Sequence, residues 1–147
     1  MRTLIIALII LIASPAFAGW EYAKKSNEMG DINFEMAFTF DSDPDCDAML
    51  GVGEEDRVGT ILVLYVKSEK FLSGNIIDIK IDDKQIISLS AIQHKQTFIA
   101  PITDDIVQMF KTGKTVKVRF QTQADIHTVD FNLDGSAAAI NKLQGGE

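Results

Sequence analysis

The sequence predicts an all-β domain: an antiparallel β-sandwich, or a barrel-like closure of one, with two short helices. Three observations lead there. Apolar residues recur at every second position in several separate stretches, the period of a strand with one covered face. Turn-forming clusters such as Asp82-Asp83-Lys84 punctuate these stretches at short intervals. The helical segments are too few and too short to act as crossovers between parallel strands.

The chain begins with a segment of a different kind. Met1-Arg2 is a short positive start, Leu4 to Ile12 is almost unbroken aliphatic, and Ala16-Phe17-Ala18 sets small residues three and one before a cut. That is the pattern of a secretory leader. Residues 1–18 are therefore expected to be removed, leaving residues 19–147 as one exported β-sandwich domain, periplasmic or secreted. An uncleaved anchor is the alternative, but the run falls short of the roughly 20 residues that a spanning helix needs. No cysteine follows the run, so lipid attachment there is not available. No stable membrane insertion is expected after cleavage.

Downstream, Ile32, Phe34, Met36, Phe38 and Phe40 alternate with Asn33, Glu35, Ala37 and Thr39, which puts the apolar set on one face of a strand. Asp41–Asp47, with Pro44, ends it. Thr60–Val66 is continuously apolar and rich in β-branched residues. It suits a strand covered on both faces, and a buried helical segment has the same pattern. Asn75–Ile81 and Gln85–Ser90 flank Asp82-Asp83-Lys84 as a hairpin. Gln96–Ala100 is a short strand before Pro101.

Thr103 is a good helix N-cap, Asp104 and Asp105 place negative charge in the first turn, and Lys111 and Gly113 finish the helix. Thr115–Thr122 alternates cleanly, with Val116, Val118 and Phe120 inward. Ile126–Leu133 closes the series with Val129, Phe131 and Leu133 on one face. A second helix starts at Ser136 after Gly135 and runs to Leu143, where Ile140 and Leu143 are spaced to dock together on the sheet.

Without its leader the chain keeps 129 of 147 residues. A domain of that size buries about two-thirds of its unfolded surface and needs no disulfide or metal staple. The formal charge is −7, or −8 once Arg2 is removed, and no Lys/Arg cluster offsets it. Phosphate backbones and anionic membrane surfaces are repelled by such a balance, so nucleic acid is not an expected partner. Cys46 is the single cysteine, which excludes an intramolecular disulfide and leaves a free thiol, an intermolecular bridge or a buried residue without a role.

Asp41, Asp43, Asp45 and Asp47 stand at alternate positions, the beginning of a Ca²⁺ loop, because Ca²⁺ collects six to eight hard oxygens. The EF-hand pattern then fails: Cys46 stands where glycine is required and Val52 where a bidentate glutamate belongs. Glu54, Glu55 and Asp56 follow nearby and could complete an irregular cation site. A solvated acidic loop accounts for the same residues. His94 and His127 are the only histidines, and no nucleophile elbow, metal-binding pair or phosphate loop accompanies them. The aspartates around Cys46 would raise its thiol pKa and weaken it as a nucleophile. No enzyme is expected. Trp20, at the start of the exported chain, either docks the first strand or meets a partner.

Several short motifs together resemble a family of small exported proteins. They are Trp20, Ser26 and Asp31 before the alternating strand; Thr60 opening an apolar strand; Ile77-x-Ile79-x-Ile81-Asp82; and Phe131-x-Leu133-x-Gly135 followed by Ala139-Ile140 and Leu143. The chain resembles the invasion-associated locus B proteins and the VasI-type proteins encoded with type VI secretion systems. The resemblance implies an exported β-sandwich in an envelope or virulence-related role, without known catalysis. Those families commonly carry cysteines where this chain has Leu50-Gly51-Val52-Gly53 and Gly145-Gly146-Glu147, so no family disulfide carries over.

The expectation is a non-enzymatic module that binds another protein through its sheet edges or the Asp41–Asp56 loop. A small-ligand or Ca²⁺-binding domain, and an inhibitor or immunity protein against a toxin, are the alternatives.

Overall fold

The computed structural model describes residues 19–26, 33–40, 48–55, 58–66, 72–94, 96–122 and 125–145. In chain order the strands are β1 (Glu21–Ser26), β2 (Asn33–Phe40), β3 (Ala48–Glu55), β4 (Gly59–Val66), β5 (Leu72–Ile81), β6 (Ile87–Ser90), β7 (Ile92–His94), β8 (Thr97–Pro101), β9 (Thr115–Thr122) and β10 (Ile126–Asn132). Helix α1 (Asp104–Thr112) joins β8 to β9, and α2 (Ser136–Leu143) follows β10. One sheet has the order β1-β2-β3-β4-β8-β7 and the other β10-β9-β5-β6, with every pairing antiparallel. Both sheets keep free edges, so the molecule is a sandwich and the barrel-like closure is excluded.

Between the sheets, alternation does what the sequence predicts. Val116, Val118 and Phe120 of β9 meet Ile77, Ile79 and Ile81 of β5 and Val129 and Phe131 of β10, all buried. Opposite them stand Leu50 and Val52 of β3, Leu62, Leu64 and Val66 of β4, and Phe98 of β8. The Asp82-Asp83-Lys84 turn joins β5 to β6 as expected, with β6 starting at Ile87 rather than Gln85. Asp82 adopts φ 53° there, and its carboxylate accepts the Lys114 and Thr115 amides at 3.0 and 3.1 Å, which fixes the entry into β9.

The helices close the gap at one end of the sandwich. Thr103 caps α1 by accepting the Ile106 amide, and Ile106, Val107 and Phe110 turn into the core. Ala139, Ile140 and Leu143 of α2 join them. Ser136, buried, donates its hydroxyl to the Phe110 carbonyl at 2.6 Å and locks the two helices together. Trp20 docks inward: its ring meets Phe110 edge-on at 6.3 Å and its Nε1–H donates to the Asn132 carbonyl at 2.8 Å. Thr39 donates to the Gly19 carbonyl at 3.0 Å on the neighbouring strand. The start of the expected exported chain is thus held on two sides.

One region departs from the sequence reading. The expected Asp41–Asp56 loop gives way at Ala48 to β3, a central strand paired with both β2 and β4. Gly51 and Gly53 look like loop residues, but at Gly51 the absent side chain makes room for Met36. A Cβ there would lie 2.6 Å from the Met36 sulfur.

Two stability measurements test these packing assignments. Phe131→Ala should cost about 3–5 kcal/mol in urea unfolding, the range for a fully buried aromatic. Ile126→Ala, at a position 62% exposed on the same strand, should stay within about 0.5 kcal/mol. Ser136→Ala should cost about 1–3 kcal/mol, because it strands the buried Phe110 carbonyl.

Candidate functional site

The two sheets differ in what they turn outward. On the four-stranded sheet the outward face is polar and paired across strands. Asp78 accepts from Ser88 at 2.6 Å and from Arg119 Nε at 3.0 Å and Nη2 at 2.6 Å, and Lys117 pairs with Asp130 at 3.2 Å. Each partner stands directly opposite in register, the arrangement that stabilises a solvated face. The Ser88 hydroxyl first, and the Arg119 guanidinium second, hold the Asp78 carboxyl below the usual carboxylate range.

The outward face of the six-stranded sheet is apolar. The register aligns it in three rows that run across the strands. One is Ile92, Ile99, Val63, Gly51, Phe38 and Glu21; the next is Pro101, Ile61, Gly53, Met36 and Ala23; the third is His94, Thr97, Tyr65, Met49 and Phe40. Among the described side chains, the carboxylates and the imidazole of this face stand at its margins, Glu21 on β1, Glu55 at the end of β3 and His94 on β7, and the Tyr65 phenol lies within the third row. Ala23, Met36, Phe38, Met49, Ile61 and Val63 form a buried cluster of their own, with Phe40, Tyr65 and Ile99 against it. Phe38 and Phe40 meet edge-on at 6.0 Å. Every residue of this cluster belongs to the sheet; among the described residues, none from another element joins it.

The two sides of β4 explain the arrangement. Its run Ile61-Leu62-Val63-Leu64 has no polar position, so whichever way alternation turns it, both faces are apolar. β2 adds Met36 and Phe38 outward, while its inward positions carry Glu35, Ala37 and Thr39. The strongest apolar alternation in the sequence is therefore turned away from the inter-sheet core. Thr97, beside Tyr65 within the outer face, is buried, and its hydroxyl has no hydrogen-bond partner.

A smaller polar group lies at the far end of the inward face. Glu35 and Glu54 are register partners, Thr60 donates to Glu54 at 2.8 Å, and Tyr22 bonds to Glu35. Burial first, and the Glu35 carboxylate second, push the Tyr22 hydroxyl above its ordinary pKa. Hydroxyl partners here serve two carboxylates that would otherwise repel across the ladder.

The residues singled out in the sequence fall elsewhere. Asp41, Asp43, Asp45, Cys46 and Asp47 lie outside the described residues. Glu54 and Glu55 do not extend that acidic run into one site: they sit at the opposite end of β3 from Ala48, roughly 20 Å along the strand. Among the described residues no group of three or more His, Cys, Asp or Glu side chains could hold a metal ion. His94 on β7 and His127 on β10 belong to different sheets, and His127 stacks on Phe120 at 5.8 Å. The edge that carries β10 lies over β2, away from β7, so the two histidines do not meet. No helix among the described residues is long and apolar enough to cross a membrane.

The architecture defines an open antiparallel β-sandwich with one amphipathic sheet and one sheet apolar on both faces. Among solved structures this fold is similar to that of invasion associated protein B from Bartonella henselae, with a TM-score of 0.63 and 12% sequence identity, covering 90% of this chain and 96% of that one. At that identity the likeness is one of fold. No protein-family profile and no curated protein sequence matches the chain.

Two outcomes test the site. Thr97→Val should raise stability by about 1 kcal/mol in chemical denaturation, since it replaces a buried, unpartnered hydroxyl with an apolar isostere. The Asp78 network should contribute to stability at neutral pH, with the contribution lost as pH falls below about 4 through the lower folded value. In an NMR titration Ser88→Ala and Arg119→Ala should each move the Asp78 carboxyl upward, and Asp130, which neither residue touches, should stay where it is.

Proposed function

We propose that this chain is an exported, non-enzymatic protein-binding module of the bacterial envelope, and that the outward face of its six-stranded sheet is the contact surface. The observation that carries the reading is the contrast between the two outward faces. One is laced with ion pairs and hydrogen bonds; the other is a continuous apolar field whose carboxylates and imidazole, among the described side chains, stand at its margins. The part of that face that reaches the surface is Ile92, 55% exposed, with Phe40, Tyr65 and Ile99 half-buried beside it, and exposed apolar side chains grouped in this way mark interaction sites. An acidic protein with an uncharged face selects a partner by shape and apolar area rather than by charge.

Export rests on the leader pattern of residues 1–18. A virulence-related role, of the invasion-associated locus B or VasI type, draws on the motif resemblance and on the fold likeness to invasion associated protein B. The partner expected is a protein that offers an uncharged apolar surface, such as one face of an amphipathic helix.

The test places a photo-crosslinking residue in the exported chain at Ile99, on the apolar face, or at Lys117, on the polar face. The Ile99 probe should yield a discrete adduct in cells that produce the protein, and the Lys117 probe none. Adducts of equal yield from both positions, or none from Ile99, would count against this surface.

A further inference from the structure

The edges of the two sheets are not alike. Edge strands are commonly guarded by charge or proline, which keeps them from pairing with another chain. β1 carries Glu21, Lys24 and Lys25. β10 carries Asp130, paired with Lys117, and gives its Asn132 carbonyl to the Trp20 indole. β7 is three residues long and ends on His94. β6 has no such guard. From Gln85 to Gln93 the chain holds no charged residue, no proline and no glycine, in a protein of net charge −7.

This edge is also open. The Ala91 amide donates to the Asn75 carbonyl at 2.8 Å, so Ala91 faces β5. Successive residues of a strand turn their backbone groups to opposite sides. Ile87 and Leu89 therefore face β5 as well, and Ser88 and Ser90 point their amides and carbonyls away from it. Among the described residues nothing bonds these four groups, and both serines are exposed.

We infer that β6 pairs with β6 of a second copy, antiparallel about a two-fold axis through Leu89, so that the two four-stranded sheets join into one. The observation that selects a second copy is the symmetry of the strand. Ile87-Ser88-Leu89-Ser90-Ala91 reads apolar, serine, leucine, serine, apolar in either direction. A two-fold contact sets the same patch against itself and needs it to be self-complementary. Here Ser88 of each copy stands opposite Ser90 of the other, and the free amides of one meet the free carbonyls of the other. Leu89, 8% exposed at the rim of the inter-sheet core, meets Leu89, and Ile87 meets Ala91. No like charges are brought together. So short a contact buries less than a permanent dimer needs, and the copies exchange.

The contact is separate from the apolar face assigned to partner binding, because β6 belongs to the other sheet. The axis runs perpendicular to the joined sheet, so both apolar faces look the same way. A partner that offers two segments would be held by both at once, with a gain in avidity and no new contact.

The direct test is a disulfide that only this register allows. Ser88→Cys and Ser90→Cys are made in separate chains as cells produce them, each with Cys46→Ser. Opposed residues of the pair lie about 5.5 Å apart at Cα, within reach of a disulfide. Ser88 to Ser88, or Ser90 to Ser90, is about 9 Å across the axis, beyond the limit of about 7 Å. After mild oxidation of equal amounts, most of the cross-linked dimer should be the mixed species. A mixed share of half or less, as random encounter gives, or no dimer at all, overturns the inference.

A second measurement uses Ser90→Pro, which removes an amide that β5 does not use, a change that an edge strand tolerates. In sedimentation the unaltered chain should move from monomer toward dimer as its concentration rises, and Ser90→Pro should stay monomeric over the same range. Equal association of the two overturns the inference. So does an unaltered chain that stays monomeric throughout, a result that would leave the edge to a strand of another protein. Failure of the Ile99 probe to capture a partner leaves both measurements unaffected.

Discussion

Two-sided burial of β4 is the constraint on which the rest of the structure depends. A strand that reads Ile61-Leu62-Val63-Leu64 has no polar face to give to water, so the sheet around it needs apolar cover above and below. The four-stranded sheet and both helices supply one cover. The outer cluster draws five large side chains into the other, and at about 1.5–3 kcal/mol each their burial is worth roughly 10 kcal/mol. That equals the whole net stability of an ordinary domain.

The asymmetry between the sheets gives the molecule a direction. Asp78, Ser88, Arg119, Lys117 and Asp130 hold one outward face to solvent by pairs that would be lost if it were buried. The opposite face has no such investment. Its two methionines, Met36 and Met49, are unbranched and adaptable, and Gly51 lets Met36 lie flat against the sheet. A surface built this way tolerates more than one apolar shape.

Much of the fold was legible because local chemistry and tertiary packing agree. Thr103 caps the helix it was expected to cap, and the Val116, Val118 and Phe120 alternation points inward over the residues predicted. What alternation could not decide was which face of a strand is inside. The stripe of Met36, Phe38 and Phe40 is correctly grouped by its period, but only the placement of the second sheet reveals that it faces outward. Strand β3 was hidden because Gly51 and Gly53 weaken a strand signal, and the reason for Gly51 lies in a neighbouring strand. The candidate face was therefore present in the sequence as residues but not as a surface. It depends on a register that joins β8 to the consecutive strands β1, β2, β3 and β4, and no local pattern encodes that.

Trp20 gives the molecule a built-in reporter. It is the single tryptophan, seated edge-on to Phe110 with its indole N–H committed to the Asn132 carbonyl, at a joint shared by α1, β10 and the first strand. Its emission is that of a sheltered indole only while all three are in place. Unfolding from any of these directions moves the fluorophore into water and shifts its colour. Because it lies two residues beyond the expected cut, the signal stays with the processed chain, so folding before and after processing can be followed at one wavelength without a label.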